Sequence, residues 1–328
     1  MATEIKFNAD GTINFGDYTL TFTDEGFEFD GAILATEYEQ RYSTQGSTSG
    51  YTSGGDAPGD VNTIDKFPFA ADANATDVGD LTQARERPTG QSSSTSGYTS
   101  GGARPAVNII DKFPFAADAN ATDVGDLTQG RYGLAGQSSS ENGYTSGGGY
   151  PTSNIIDKFP FATDANATDV GDLTQGRYNT TGQSSSENGY TSGGGLGPAF
   201  DTIDKFPFAS DGNATDVGNL TQARKALAGN GQQSDASGYT SGGWTPPFRN
   251  TIDKFPFATD ANATDVGDLT QARSSAAGQS STTSGYVSGG NAPPSSNVID
   301  KFPFASDGNA TDVGDLTQAR EYGAGHQV

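Results

Sequence analysis

The sequence predicts an all-β protein built from six similar four-stranded sheets, and two observations lead to this prediction. The segment "IDKFPFA" recurs every 46 to 49 residues, with its Asp at Asp65, Asp111, Asp157, Asp204, Asp253 and Asp300. Within each repeat, short runs typical of strands alternate with turn residues. Apolar residues do not follow the 3.6-residue spacing of a helix over any useful length. One such sheet cannot cover both of its faces, whereas neighbouring sheets arranged radially cover each other. The repeats therefore predict a six-bladed β-propeller over residues 41–328.

Each repeat contains four predicted strands. "AGQSSS" and "GYTSGG" flank a short polar connection, and "NIIDKFPFA" and "ATDVGDLT" flank "DAN" or "DGN". Both connections have the composition of hairpin turns. Pro68 and its equivalents interrupt the third strand, because Pro cannot donate to a strand ladder. The strand either ends near Phe67 or turns the Pro nitrogen away from its neighbour.

Residues 1–40 differ from the repeats and predict a small β extension. Alternating runs around Asp10-Gly11 and Glu25-Gly26 indicate two hairpins. The extension either packs on the propeller or anchors it to a larger assembly. An alternative is a seventh, degenerate blade, because residues 19–34 faintly resemble "FPFATDANATDVGDL".

Both termini offer a first strand for closing the ring. The tail "AREYGAGHQ" resembles the start of a repeat, as in "GRYGLAGQ". The N-terminal copy "RYSTQGSTSGY" is shorter than the others. We expect one terminus to supply the inner strand of the first blade.

The order of residues within a repeat resembles the kelch repeat. The matching elements are Arg131, "AGQSSSENGY", the double glycine Gly147-Gly148, "NIIDKF" and "DVGDLTQGR". The fourth strand departs from the pattern, because "ATDVGDL" stands where kelch repeats usually place Trp. The tandem copies of "IDKFPFA" also look similar to repeat proteins of marine bacteriophages. That resemblance implies a virion fibre or surface component, exposed outside the cell.

Composition argues against several classes of function. The chain has no Cys and one His, His326, so it cannot build Cys-ligated or multi-His metal sites or a Cys nucleophile. A net charge of −22 argues against nucleic-acid partners and anionic membrane surfaces. No apolar run is long enough for a membrane-spanning helix. We expect a non-enzymatic protein without cofactors and without membrane insertion.

The acidic turn after "FPFA" offers one candidate metal site. Oxygen-bearing side chains at Asp72, Asn74, Thr76 and Asp80, and at their equivalents in the other repeats, have part of the spacing of a calcium loop. The loop lacks the central Gly and the final Glu of that motif. The same residues also suit a hairpin turn in which Asp and Asn bond to the backbone.

The repeated Asp-Lys pair and the "FPF" segment predict contacts between blades. Adjacent strand residues point to opposite faces, so Asp65 and Lys66 cannot pair with each other across one face. They suit hydrogen bonds or ion pairs between blades; the alternative is a ring of six Asp that lines a channel and binds a cation. The Phe residues suit the core between blades, or an exposed binding patch.

Sequence variation is concentrated in two sets of connections. In a four-stranded meander, the turns between strands one and two and between strands three and four emerge on one face, which is nearly identical in every repeat and which we call the uniform face. The connections between strands two and three and between successive blades emerge on the opposite, variable face. Its large side chains are Arg104, Tyr132, Tyr150, Tyr178, Phe200, Trp244, Phe248 and Arg249.

Aromatic and Arg side chains are frequent at protein and sugar interfaces, so this face predicts a binding surface. The expected partners are a host surface protein or glycan at the variable face, and virion or filament subunits through the N-terminal extension. The alternative is a purely structural repeat protein that mediates contacts between subunits. A further possibility is that these loops vary only because nothing restrains them.

Overall fold

A computed structural model describes residues 45–103, 105–195, 197–227 and 230–328, together with the backbone of the strands between residues 5 and 35. The chain divides into two units, residues 1–42 and residues 43–328. This division lies close to the predicted boundary at residue 40. The described part of the chain has no helix of the length and apolarity that crossing a bilayer requires.

The first unit contains one five-stranded antiparallel sheet in which each strand pairs with the next along the chain. Its strands are β1 (Ile5–Phe7), β2 (Thr12–Phe15), β3 (Tyr18–Thr23), β4 (Gly26–Phe29) and β5 (Ala32–Ala35). The two predicted hairpins correspond to the pairs β1–β2 and β3–β4. β5 extends the sheet by one strand beyond them.

The second unit consists of six four-stranded antiparallel sheets, the blades of a propeller. The first blade contains β6 (Ser49–Ser53), β7 (Thr63–Pro68), β8 (Thr76–Asp80) and β29 (Ala324–Gln327). The second contains β9 (Thr89–Ser92), β10 (Ser96–Ser100), β11 (Ile109–Pro114) and β12 (Thr122–Asp126). The third contains β13 (Ala135–Ser138), β14 (Asn142–Ser146), β15 (Ile155–Pro160) and β16 (Thr168–Asp172).

The remaining blades repeat this pattern. The fourth contains β17 (Thr181–Ser184), β18 (Asn188–Ser192), β19 (Thr202–Pro207) and β20 (Thr215–Asn219). The fifth contains β21 (Gln232–Gln233), β22 (Ser237–Ser241), β23 (Thr251–Pro256) and β24 (Thr264–Asp268). The sixth contains β25 (Ala277–Ser280), β26 (Ser284–Ser288), β27 (Val298–Pro303) and β28 (Thr311–Asp315). The prediction of six blades is confirmed, and the seven-bladed alternative is wrong. Each third strand ends at its Pro, so the missing N–H does not interrupt the ladder.

The first strand of each repeat lies innermost, and the inner strands of neighbouring blades pack against each other. Glycine makes this approach possible. A Cβ atom at Gly136 would collide with the carbonyl oxygen of Gly90, and one at Gly182 with that of Gly136. The small residues of "AGQS" are therefore required where six strands converge.

The C-terminus closes the ring. β29 supplies the inner strand of the first blade, with Ala324 opposite Ser53 and Gln327 opposite Gly50 in β6. The segment before β6 instead bonds to the residue that follows β29: the N–H of Thr48 donates to the carbonyl oxygen of Val328 at 2.6 Å. The prediction that one terminus closes the ring is confirmed, and it is the terminus with the longer copy of the first strand.

Apolar side chains fill the space between blades. Between the second and third blades, Tyr98, Ile110 and Leu127 pack against Phe159. The Tyr98 ring also stacks on Phe161, with ring centroids 4.8 Å apart. The prediction that the "FPF" segment forms the core between blades is confirmed. Burial of such a side chain stabilises the folded state by about 1.5–3 kcal/mol.

The Asp-Lys pair connects each blade to both of its neighbours. The fully buried Asp157 carboxylate accepts bonds from Arg131 Nη2 at 2.5 Å and from the Thr128 hydroxyl at 2.7 Å, both at the end of the preceding repeat. Lys158 Nζ lies 2.5 Å from an Asp211 oxygen in the following blade. The same pairs recur at every blade interface. The contacts predicted between blades are confirmed. The ring of Asp lining a channel is wrong, because these Asp lie between the blades.

Candidate functional site

The candidate calcium loop forms contacts between blades at the uniform face. Asp72 Oδ1 lies 3.1 Å from Lys301 Nζ, and Asn74 Oδ1 accepts a bond of 3.1 Å from the N–H of Asp315. Thr76 and Asp80 are the first and last residues of β8. Within β8, Asp77 Oδ1 accepts a bond of 3.2 Å from the N–H of Gly79.

These contacts explain why the turn is nearly identical in each repeat, since each copy holds the preceding blade. Within the described ranges, no three His, Cys, Asp or Glu side chains lie close enough together to hold a metal ion.

The centre of the propeller is closed. Next to the variable face, one residue from each repeat contributes to a ring of backbone hydrogen bonds. Each N–H in this ring donates to the carbonyl oxygen of the equivalent residue in the preceding blade, at 2.6–3.0 Å. The six residues have φ between 51° and 64°, in the left-handed region, and are Arg87, Gly133, Asn179, Ala226, Ser275 and Tyr322. Deeper in the channel, the Asn230 side chain bonds to the backbone of Gly90 and Gly325. The cavity at the ring measures about 30 Å³, which is space for one or two water molecules. The described residues therefore leave no room along the axis for a ligand larger than water.

The two sets of variable connections meet in a regular way. The residue after each closing Arg pairs with the residue after the double glycine, as in the bridge between Tyr132 and Gly149. The N–H of Gly149 donates to the carbonyl oxygen of Tyr132 at 2.7 Å. This bridge brings Tyr132 next to Tyr150, although the sequence separates them by two strands. Tyr178 follows at the next bridge, and its ring meets that of Tyr132 edge to face with centroids 6.3 Å apart.

A cavity of about 340 Å³ opens at this position on the variable face. We call it the tyrosine pocket, and its lining residues are Glu86, Arg87, Ala103, Pro105, Ala106, Tyr132 and Tyr150. Its volume lies within the range of small-ligand sites. In the described residues, the walls combine two aromatic rings with small apolar side chains and one charged pair, the usual composition of a site that orients a small polar ligand.

Tyr150 has an unusual conformation for a large side chain. It is 77% exposed and its φ is 70°, in the left-handed region. That region costs an L-residue about 1–2 kcal/mol, and an exposed ring recovers little of this cost by burial. Residues held in such conformations concentrate at binding sites.

Of the pocket residues that were not among the predicted site residues, Glu86 and Arg87 are charged. The Arg87 guanidinium lies 4.1 Å from the ring centroid of Tyr322 and 5.6 Å from that of Tyr132. Its Nε lies 3.7 Å from Oε1 of Glu86, a carboxylate that is only 2% exposed. Both residues belong to the segment "ERPT", which differs between repeats. This variability was the sequence signal that could have identified them as site residues. Burial raises the pKa of the neighbouring Glu321.

Trp244 and Phe248 form a separate cluster on the fifth blade. Trp244 is 37% exposed, and its backbone pairs with Phe248 and with Lys225. Lys225 Nζ lies 5.3 Å from the Trp244 ring centroid and donates to the carbonyl oxygen of Gly197 at 3.0 Å. This cluster is also on the variable face, but it does not line the tyrosine pocket.

The remaining predicted residues have different environments. Phe200 and Arg249 occupy equivalent positions, are half-buried, and bond through their backbone to the closing Arg of their repeat, Arg224 and Arg273 respectively. Each side chain is therefore only partly accessible to a partner. Arg104 lies outside the described residues.

Comparison with known proteins adds no family to this description. No protein-family model matches the chain, and no curated protein matches it.

Proposed function

We propose that the protein is a non-enzymatic component of a virion surface or fibre, which binds a surface protein or glycan of a host through its variable face. The observation that carries the proposal is the location of the tyrosine pocket, Tyr150 and Trp244 on the face where the repeats differ. A face that only joined subunits of a regular lattice would not need to differ between repeats. The resemblance to phage repeat proteins supports placement on a particle outside the cell.

The position of the only His in the sequence supports a non-enzymatic function. His326 is fully buried in β29, where Nε2 lies 2.8 Å from the Ser53 hydroxyl. It is therefore part of the ring closure and is not accessible to a substrate.

A loop exchange tests this function. "GYPTSN" of the third blade is replaced by "ARPAVN" of the second, and "WTPPFRN" of the fifth by "NAPPSSN" of the sixth, which preserves loop length in both cases. We expect attachment of the labelled protein to a panel of bacterial cells to be lost while the melting temperature is unchanged. The control is Glu141→Thr on the uniform face, which introduces the residue that the second blade carries at Thr95. Attachment that survives both exchanges, or that the control abolishes, contradicts the proposal.

A further inference from the structure

The tyrosine pocket has walls that suit a ring with one apolar face. Tyr132 and Tyr150 provide aromatic surface, and Ala103, Pro105 and Ala106 provide small apolar contacts around the same cavity. Sugar rings present flat patches of C–H groups that pack against aromatic faces, while their hydroxyl groups remain at the edge. Aromatic rings with a few polar groups at the rim are thus complementary to a pyranose.

The pocket is held in place before any ligand binds. The backbone of Tyr132 pairs with Gly149, and the Tyr132 ring contacts Tyr178 and the Arg87 guanidinium. Arg87 is in turn stacked against Tyr322, which the C-terminal segment brings to the same place. Because these groups already contact each other, little conformational freedom remains to be lost on binding.

Among the lining residues that the structure describes, the two charged side chains compensate each other. Arg87 and Glu86 are its charged lining residues, and their side chains lie 3.7 Å apart. The guanidinium stacked between two rings keeps its N–H donors in its own plane, where hydroxyl groups can accept from them. With Glu86 beside it, Arg87 does not present an uncompensated positive charge to an anion. The overall charge of −22 also disfavours anionic ligands.

We propose that the tyrosine pocket binds a neutral hexopyranose unit of a surface glycan. This inference rests on the proposed function and specifies its ligand. The volume of about 340 Å³ suits one or two sugar rings. A protein partner is less well matched, since protein interfaces of ordinary size are broad surfaces and not single small cavities.

Binding to a printed array of neutral, sialylated, uronic-acid and sulfated oligosaccharides tests the proposal. The best neutral disaccharide is then titrated by calorimetry into the full-length protein and into Tyr150→Ala and Tyr132→Ser. The second substitution introduces the residue found at the equivalent Ser274. We expect each variant to weaken binding by about tenfold or more, and Glu141→Thr to bind like the wild type. Tyr150 is mostly exposed, so Tyr150→Ala separates loss of binding from loss of folding.

The outcomes distinguish this inference from the function on which it rests. Binding only to charged glycans, or neutral binding that both Tyr variants retain, overturns the inference. If no glycan binds but the protein attaches to cells, and protease treatment of the cells removes this attachment, the ligand is a protein; the inference then fails and the proposed function stands. If neither glycans nor cells bind the protein, both proposals fail.

Discussion

Asp157 and Lys158 are adjacent in β15, yet their surroundings differ completely. Asp157 and its partner Arg131 are both fully buried, whereas the Lys158 and Asp211 side chains are 26% and 56% exposed. Burial lowers the pKa of Arg131, which shows that desolvation of the charge is only partly offset by Asp157. Removing one member of a buried pair leaves an uncompensated charge, whereas an exposed pair in water contributes little.

Substitution of these two residues should therefore change the free energy of unfolding by very different amounts. We expect Asp157→Asn to lower the free energy of unfolding by about 3–5 kcal/mol and Lys158→Ala by less than about 1 kcal/mol. Urea denaturation at neutral pH, followed by circular dichroism, measures both. Equal losses for the two variants would show that the buried network is not what holds the blades together.

At the scale of the strand, the inner strands impose the strictest requirements of the fold. Each repeat has Gly where the neighbouring inner strand is closest, and in five of the six a Gln follows, whose side-chain amide reaches the next blade. Gln137 Nε2, for example, donates to the carbonyl oxygen of Tyr190 at 2.9 Å. β29 has His326 in place of this Gln, so the closing strand carries an ionisable side chain at the position where the other inner strands carry an amide.

The close approach of the inner strands predicts a difference between two Gly→Ala substitutions. Gly136→Ala places a Cβ atom against the carbonyl oxygen of Gly90, so we expect a loss of about 1–3 kcal/mol or more. Gly212→Ala is the matched control, because it meets no atom within 4 Å and four other repeats already carry Ala there. It should be neutral, or stabilising by up to about 1 kcal/mol. Thermal unfolding measures both, and a stable Gly136→Ala protein would contradict the tight packing.

His326 predicts a pH dependence of ring closure. Burial lowers its pKa from 6.5 to about 4. Between these values the unfolded chain binds a proton and the folded protein does not, so stability falls as the pH decreases from about 6.5 to 4. The loss corresponds to about 3 kcal/mol.

The variant His326→Gln restores the residue of the other inner strands and tests this dependence. The carboxylates titrate in both proteins, so only the difference between their pH profiles belongs to His326. Melting temperatures from pH 7 to pH 4 should fall less steeply in the variant. Parallel profiles would be inconsistent with a neutral, buried imidazole.

At the scale of the whole molecule, the propeller depends on closure because each blade covers its neighbours. In the described residues the apolar clusters run between blades, as at Tyr51, Ile64 and Leu81 against Phe113. An open ring would expose such a surface at both of its ends. Loss of one inner strand should therefore lower the stability of the propeller by more than the contacts of that strand alone contribute.

Removal of residues 324–328 tests this dependence on closure. We expect a large drop in melting temperature and a broader transition, with an increased hydrodynamic radius by light scattering. The control replaces "AGHQ" in β29 with "AGQS" from β25, which keeps the strand and should preserve the compact form. A truncated protein as compact and cooperative as the control would contradict the role of β29.

The sequence allowed much of this architecture to be predicted because its signals are local and periodic. Six copies of one pattern indicated six blades, and the fixed places of Asp, Lys and Phe within each copy indicated contacts between blades. The candidate calcium loop was harder to interpret, because Asp and Asn at positions 72 and 74 are compatible both with a calcium-binding loop and with a hairpin turn. Their contacts with Lys301 and Asp315 became visible only with the neighbouring blade in place.

The composition of the tyrosine pocket was only partly predictable. Variation between repeats identified Tyr132 and Tyr150, because the meander assigns variable loops to one face. Arg87 also lies in a variable segment, but its contact with Tyr322 could not be found in that way, because the two residues lie far apart in the chain and stack only when the ring closes. The sequence by itself therefore determined the number of blades and the contacts that every blade repeats. The tertiary structure decided which terminus closes the ring and which side chains share a pocket, because those contacts join residues that no local pattern connects.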